Sequence, residues 1–322
     1  DMFFYPEGKD IFSHTGNNLL DAYLSIPFQE VFGFPDYYPV FLLFLLVLNL
    51  LAFRVMAKRI IGSKLGVWVA TIFWMVNPFV IGELSMGRPT QSMFFAAFLA
   101  IWAFWTLQEK MTLRWAVLLG IFVAIQGWCY WYSGYFLVFV LLGIFATTVS
   151  EARARFPIGR MLQCYGVSVL VCIVMIMPAL VSMQTNIDKG LVPGADVVME
   201  TWWQIPDLKN NIGSSLRSYH INDPIGHPMF LSWLWAPLLL GLVWKGRQRK
   251  RWLLILGVTL LVATGASWTI MGQEIPMLHY LTLFHWLPYF DRLWFPYRIL
   301  GFSFLVVSLW AGTQVQRFSS QK

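Results

Sequence analysis

Four short stretches of this 322-residue chain set ionisable or aromatic side chains beside long apolar runs. Glu7, Asp10, His14 and Asp21 lie in FYPEGKDIFSHTGNNLLDAYL, and Glu83 and Arg88 lie in NPFVIGELSMGRPTQ. Tyr132 sits in the aromatic run GWCYWYSGY, and Arg292 and Arg298 fall in LPYFDRLWFPYR. Carboxylates of the first group could take a proton from an attacking hydroxyl. The arginines could hold a phosphate through paired N–H donors, and a tyrosine face could stack on a sugar. Each stretch also has a plainer reading: an anchoring elbow, a local Glu83–Arg88 pair, a headgroup belt of aromatic rings, and a loop salt bridge. Pro296 suits the first turn of a helix, which puts Arg298 in that turn. An arginine is unfavourable at the positive end of a helix dipole, so a counter-anion is expected there, either a loop acid such as Asp291 or Glu274 or a bound anion.

Other chemistries find little support. The chain has no Gly-rich phosphate loop and no GxSxG, HExxH or CxxC pattern. His220 and His227 lack a tight ligand spacing, and His279 and His285 read as packed residues, so no metal ligands are assigned. Cys129, Cys164 and Cys172 are too few and too apolar in setting for a disulfide framework or a zinc site.

The elements that must position these residues are membrane helices. Apolar residues make up 58% of the chain and charged residues only 12%, half of what a soluble domain carries, and the mean hydropathy is +0.61. Nine runs are long and apolar enough to cross: 37–57, 65–83, 92–108, 113–128, 134–150, 161–183, 229–244, 252–268 and 295–315. None alternates with period two, and backbone in lipid must satisfy its own hydrogen bonds, so helices are expected. The expected fold is therefore all-α: one polytopic transmembrane domain over 1–322, with interfacial helices in its outer loops.

Lysine and arginine set the orientation. Connections that would lie on one side hold 16 of the 23 basic residues, including Lys58, Arg59, Lys64 and the cluster at 245–251. That side is expected to be cytoplasmic, with the first residue of this chain outside and the last inside. The net charge of +7 is then a topology signal, and nucleic acid is excluded as a partner. All acids except Glu109 and Glu151 fall outside, where 1–36, 184–228 and 269–294 are the long segments. Chemistry is expected on that outer face. Within 1–36, a four-residue beat of apolar positions predicts an interfacial helix over 17–32, bent near Pro27 and closed by Gly33 and Pro35. In that reading Asn18, Asp21, Ser25 and Gln29 form its polar side, and Asp10 and His14 stand over an opening between spans.

The order of FYPEGKDIFSHTGNNLLDAYLSIPFQEVFG, NPFVIGELSMGRPTQ, the WYSGYF hairpin and LPYFDRLWFPYR resembles the bacterial polytopic GT-C glycosyltransferase-like proteins, including mannosyltransferase-like and YfhO-like members. The resemblance implies transfer of a sugar from a polyprenyl-phosphate donor to an acceptor on the outer face of the bacterial inner membrane. It implies Asp10 and Glu7 as the catalytic acids of the first loop. His14, Asp21, Glu83, Arg88, Tyr132, Arg292 and Arg298 would be substrate-binding, and a divalent metal ion is the one cofactor it allows. The family's acidic motif follows its first helix closely, so a further helix is expected upstream of Asp1. The implied partners are the bilayer and a lipid-linked sugar donor. The alternative is a non-catalytic subunit or scaffold that works with other membrane proteins. A transporter is disfavoured because no span carries an ionisable residue at its middle.

Overall fold

The computed structural model describes residues 19–85, 88–188, 249–263, 267–270, 273–276, 286–287 and 296–320. Among the described residues there are ten helices: α1 (Leu19–Phe32), α2 (Tyr37–Ile60), α3 (Lys64–Met75), α4 (Pro78–Ser85), α5 (Phe95–Lys110), α6 (Leu113–Cys129), α7 (Trp131–Arg153), α8 (Ile158–Asp188), α9 (Arg249–Ala263) and α10 (Leu300–Ser320). Short 3₁₀ turns at Pro89–Ser92 and Pro296–Ile299 lead into α5 and α10. Five stretches are long and apolar enough to cross a membrane: Tyr37–Ile60, Lys64–Leu84, Pro89–Lys110, Trp131–Arg153 and Ile158–Thr185. The chain is thus a helical protein suited to a bilayer. The expected run 113–128 is α6, an apolar helix of 17 residues, and 229–244 lies outside the described residues.

One expectation is corrected. The run 252–268 is not helical to its end, because α9 stops at Ala263 and Ser267–Ile270 is a strand, β1. It pairs antiparallel with β2 (Gln273–Pro276), setting Trp268 opposite Ile275 and Thr269 opposite Glu274. After Val262 the run loses its leucines, and β-branched Thr269, Ile270 and Ile275 favour extended chain. The described residues are therefore helical with one hairpin, rather than purely α.

The helices gather into two compact units. In the first, α6 packs along both α5 and α8. Polar side chains join its elements from inside. Gln126 is fully buried; its Oε1 accepts from the Ala97 N–H at 2.9 Å, and its Nε2 donates to the Met93 carbonyl and to Ser133 Oγ, both at 2.7 Å. Asn49 does the same for the 3₁₀ turn, donating to the Ser92 carbonyl at 2.6 Å and accepting from the Phe94 N–H at 2.9 Å. Each amide occupies backbone groups that the broken chain before α5 cannot pair within a helix. On α8, Pro178 lacks the N–H that would close the turn below it. One turn away, the Trp128 indole N–H donates to the Met175 carbonyl at 3.1 Å.

Helix α1 belongs to this unit. Leu20, Leu24 and Phe28 pack against a cluster of Phe41, Leu45, Met93 and Cys129. The helix ends at Gly33, whose φ of +72° is one that only glycine takes without strain and whose N–H donates to the Gln29 carbonyl at 2.9 Å. The expected helix is therefore present from Leu19 with Pro27 inside it, but its polar side is placed differently. Ser25 is buried, donating to the Ala22 carbonyl and accepting from Gln29 Nε2, whereas Tyr23, Ile26, Val31 and Phe32 are exposed. A 14-residue helix with one apolar stripe on the protein and another facing outward suits burial on both sides, between protein and lipid.

The second unit is built on α3 and α10, which run antiparallel. Gln316, near the end of α10, accepts from the Gly62 N–H just before α3 at 2.9 Å. Four residues after Gly62 and four before Gln316, Gly66 and Gly312 bring the two backbones together. A Cβ at Gly66 would stand 2.5 Å from the Gly312 carbonyl oxygen, and one at Gly312 would stand 2.4 Å from that of Gly66. Small residues at a seam of this kind let helices associate in lipid through backbone contact, where no hydrophobic force acts between them. Ser63 caps α3, accepting from the Gly66 N–H at 3.0 Å. Further along, Phe53 stacks on Trp74 with centroids 5.6 Å apart, and the Arg54 guanidinium lies 4.3 Å over the Trp68 ring. Ser303 donates to Thr259 Oγ1 at 2.9 Å and ties α10 to α9.

Candidate functional site

The chain leaves α3 at Met75 and turns at Asn77 into α4. Asn77 is fully buried and is the N-cap: its Oδ1 accepts from the Phe79 N–H at 2.9 Å, with Pro78 at the first helical position. Six residues on, α4 carries Glu83, which is 0% exposed. The chain then turns back, the Arg88 N–H donating to the Glu83 carbonyl at 2.9 Å. This brings the Arg88 side chain round to its own acid, Nη1 standing 3.6 Å from Glu83 Oε2.

A second arginine, from the other end of the sequence, acts on the same carboxylate through its charge. Arg298 sits in the 3₁₀ turn that opens α10 and is only 8% exposed. Arg298 and Arg88 are the two cations whose charges act on Glu83, and Arg88 and Arg298 repel each other. The antiparallel pairing of α3 and α10 produces this meeting. With Gly62 beside Gln316 at one end, the chain beyond α3 and the chain entering α10 must share the other.

Chemically, one buried carboxylate feels two guanidinium groups, Arg88 at 3.6 Å and Arg298 through its charge. At 3.6 Å the Arg88 contact is longer than the ~2.7–2.9 Å of a charge-assisted hydrogen bond. Neither Glu83 carboxylate oxygen accepts a hydrogen bond, and Asn77 Nδ2 is likewise buried without one. Buried polar atoms in this condition are costly and rare.

The structure thus brings together three of the sequence-derived site residues, Glu83, Arg88 and Arg298, all in the second unit. Glu83, 215 positions away, acts on Arg298; of the loop acids expected for it, Asp291 and the side chain of Glu274 lie outside the described residues. Glu7, Asp10, His14 and Arg292 lie outside the described residues. Asp21 belongs to the first unit, on α1, where its Oδ1 accepts from the Ala22 N–H at 2.8 Å. Partial burial pushes its carboxyl up to about 6, against the opposing pull of backbone hydrogen bonds.

Tyr132 departs from the aromatic-belt reading. It is 8% exposed and stacks on Tyr130, centroids 5.1 Å apart and planes 14° from parallel, with Phe136 beyond. Tyr130 and Trp131 are buried as well. These rings fill the interior of the first unit at the α6–α7 junction rather than lining a surface, because the tight turn between the two helices folds them inward. Sequence reasoning also passed over Asn49, Asn77 and Gln126. The available signal was an amide inside an apolar run, which must find a partner or remain costly.

A divalent metal is poorly served by these residues. Among the described residues no three His, Cys, Asp or Glu side chains gather to hold one. Glu83, the buried acid of the cluster, faces two cations that would repel it. Comparison with protein-family models, with curated proteins and with solved structures finds no match to this chain.

Proposed function

We propose that this chain is a membrane glycosyltransferase-like protein that uses a lipid-linked sugar phosphate on the outer face of a bacterial inner membrane. One observation carries the reading: two arginines, the buried Arg298 and the part-exposed Arg88, act on the buried carboxylate of Glu83 beside the break between α3 and α4 and the start of α10. Positive donors held in a low-dielectric site stabilise the charge that develops on a departing phosphate. In this reading Arg88 and Arg298 hold the phosphate of a polyprenyl-phosphate sugar. The bond between the sugar's anomeric carbon and the phosphate oxygen breaks, its electron pair going to the phosphate, while the acceptor hydroxyl oxygen bonds to that carbon. Glu7 or Asp10 takes the hydroxyl proton.

The same reading takes nine spans in all, with the chain's first residue outside and its last in the cytoplasm, so that the cluster lies at the outer face. Its support is the 16 to 7 division of basic residues.

Purified full-length chain in vesicles containing polyprenyl-phosphate hexoses provides the test. The expected result is release of polyprenyl phosphate by the wild type and at least about a tenfold loss for Arg298→Lys, which keeps the charge but not the fork. Binding of the donor without turnover would favour the scaffold reading. Equal turnover by both proteins would remove Arg298 from the site, and no binding of any donor would sink the proposal.

A further inference from the structure

We propose that the place where α2 passes into α3 binds an anionic phospholipid. Arg54, Lys58 and Lys64 hold its headgroup, and an acyl chain lies against Trp68, Ile72 and Val76. All six residues belong to the second unit, and the site is independent of the glycosyl-transfer reading.

Arg54 lies six residues before the end of α2, ~9 Å up the helix from Ile60 at ~1.5 Å per residue. Helical side chains lean toward the N-terminus of their helix, which for Arg54 is away from that end and from the water beyond it. Its guanidinium is held instead against α3, 4.3 Å over the Trp68 ring. The ring covers a face of the cation but offers no hydrogen-bond acceptor in its plane. Arg54 Nε is buried without a hydrogen bond, and among the described residues no carboxylate or carbonyl pairs with the rest of the group. No acid lies between Asp36 and Glu83 or after Asp291, so α2, α3 and α10 carry none. A cation at this depth is expensive and is normally paired. An orientation signal needs only cations flanking the helix end. A guanidinium more than a turn inside that end answers to a different need, a counter-anion supplied from outside the chain.

The surroundings fit a phospholipid better than a free anion. Lys58 follows Arg54 by one turn on the same side of α2, and Lys64 precedes Trp68 by one turn on α3. Both lysines are exposed. From Lys64 an exposed stripe runs up α3 and just beyond it at four-residue steps: Trp68 at 49%, Ile72 at 54% and Val76 at 61%. It covers ~18 Å at ~1.5 Å per residue, close to one leaflet of a hydrocarbon core ~30 Å thick. The cations thus stand at the foot of an apolar track as long as an acyl chain. Three positive charges with no acid on these helices favour a headgroup of net negative charge. A zwitterionic headgroup would bring a further cation to the same place. Arg54 supplies the fork for the phosphate oxygens and the lysines supply point charges.

The test uses the full chain in neutral-detergent micelles, titrated with phosphatidylglycerol or with phosphatidylcholine, the bound lipid being counted by native mass spectrometry. The wild type is expected to bind phosphatidylglycerol at least about tenfold more tightly, since each basic residue near an anionic headgroup contributes about fivefold. Arg54→Gln should lose at least about fivefold of that preference. If Arg54→Gln fails to fold, the double variant Lys58→Gln/Lys64→Gln, which alters only exposed side chains, should lose as much. Arg153→Gln, an exposed cation of the first unit, should leave the preference unchanged. Equal affinity for the two lipids overturns the proposal, as does an unchanged preference in folded Arg54→Gln or in the double variant. An equal loss in Arg153→Gln overturns it too, because the preference would then belong to the overall charge. Displacement of the lipid by excess inorganic phosphate would mark a free-anion site and overturn the lipid assignment.

Discussion

Gly312→Ala tests whether the α3–α10 seam holds the second unit together. The added methyl would stand 2.4 Å from the Gly66 carbonyl oxygen, 2.6 Å from Ile61 Cδ1 and 2.9 Å from Ala70 Cβ. Ordinary contact begins near 3.4 Å, so the helices would have to part by about 1 Å. The first obstacle is backbone, which has no alternative rotamer to adopt. A gap of that size forfeits a quarter to a half of the dispersion energy of the atoms it separates, and overpacking a close contact costs about 1–3 kcal/mol. The upper end is expected here, because the same movement strains the hydrogen bond between Gly62 and Gln316. The natural control is Gly257→Ala on α9, where an added Cβ meets nothing within 4 Å. Removing a helix-interior glycine there should be neutral or stabilise by up to about 1 kcal/mol. Thermal denaturation of the two purified variants in one detergent gives the comparison. If Gly312→Ala melts with the wild type, or gains as much as Gly257→Ala, the close backbone approach is not a stabilising feature and the argument is wrong.

Other expectations follow from the polar groups. Gln126→Leu removes three hydrogen bonds and leaves the Met93 carbonyl and Ala97 N–H buried without them; a loss of about 2–4 kcal/mol is expected, and a melting temperature equal to wild type would contradict it. Asn49→Leu strips partners from the Ser92 carbonyl and the Phe94 N–H and should cost about 1–3 kcal/mol, read by limited proteolysis of the turn before α5. Asp21 has a folded pKa of about 6, above its unfolded value near ~3.9, so the folded state binds more protons between those two values and loses stability as pH rises through them. Asp21→Asn should therefore raise the melting temperature at pH 7–8, by a margin equivalent to about 1 kcal/mol after allowance for its partial exposure, and the gain should vanish below about pH 4. Cysteine labelling at Ser13 and Gln248 should come from opposite faces of the membrane, and labelling of both from one side would reverse the proposed orientation.

The helices were legible in the sequence because lipid solvent makes a simple demand. A run of about 20 apolar residues with no period-two pattern leaves few alternatives to a helix, and Tyr37–Ile60 and Ile158–Thr185 follow directly. The fate of 264–276 was harder to read, since apolar composition alone does not separate the end of a helix from a short strand. The polar stripe of α1 was misplaced for a related reason. Periodicity showed that Ser25 and Gln29 share a face with Asp21, but not that Ser25 would be buried and satisfied by its own helix. The site divides in the same way. A local Glu83–Arg88 pair could be read from spacing across one turn. The action of Arg298 on Glu83 is a tertiary effect, which depends on α3 and α10 lying antiparallel and on a glycine contact far from either charge.

That antiparallel pairing also bears on the proposed orientation, because it sorts cations of the second unit to two ends. It places Gly62 and Gln316 together at one end of the second unit, next in sequence to Lys58, Arg59 and Lys64. At the opposite end it places Glu83, Arg88 and Arg298. The basic residues near Gly62 have no acid close to them in sequence, as suits a cytoplasmic surface, where positive charge is retained and acids matter little. The arginines at the other end stand beside a buried carboxylate, which such a retention signal does not require. The cations at the two ends thus differ in setting: those near Gly62 have no acid close in sequence, whereas Arg88 and Arg298 act on a buried carboxylate. A change that neutralises Arg59 should alter insertion, whereas one that neutralises Arg298 should leave insertion intact and change only what the cluster binds.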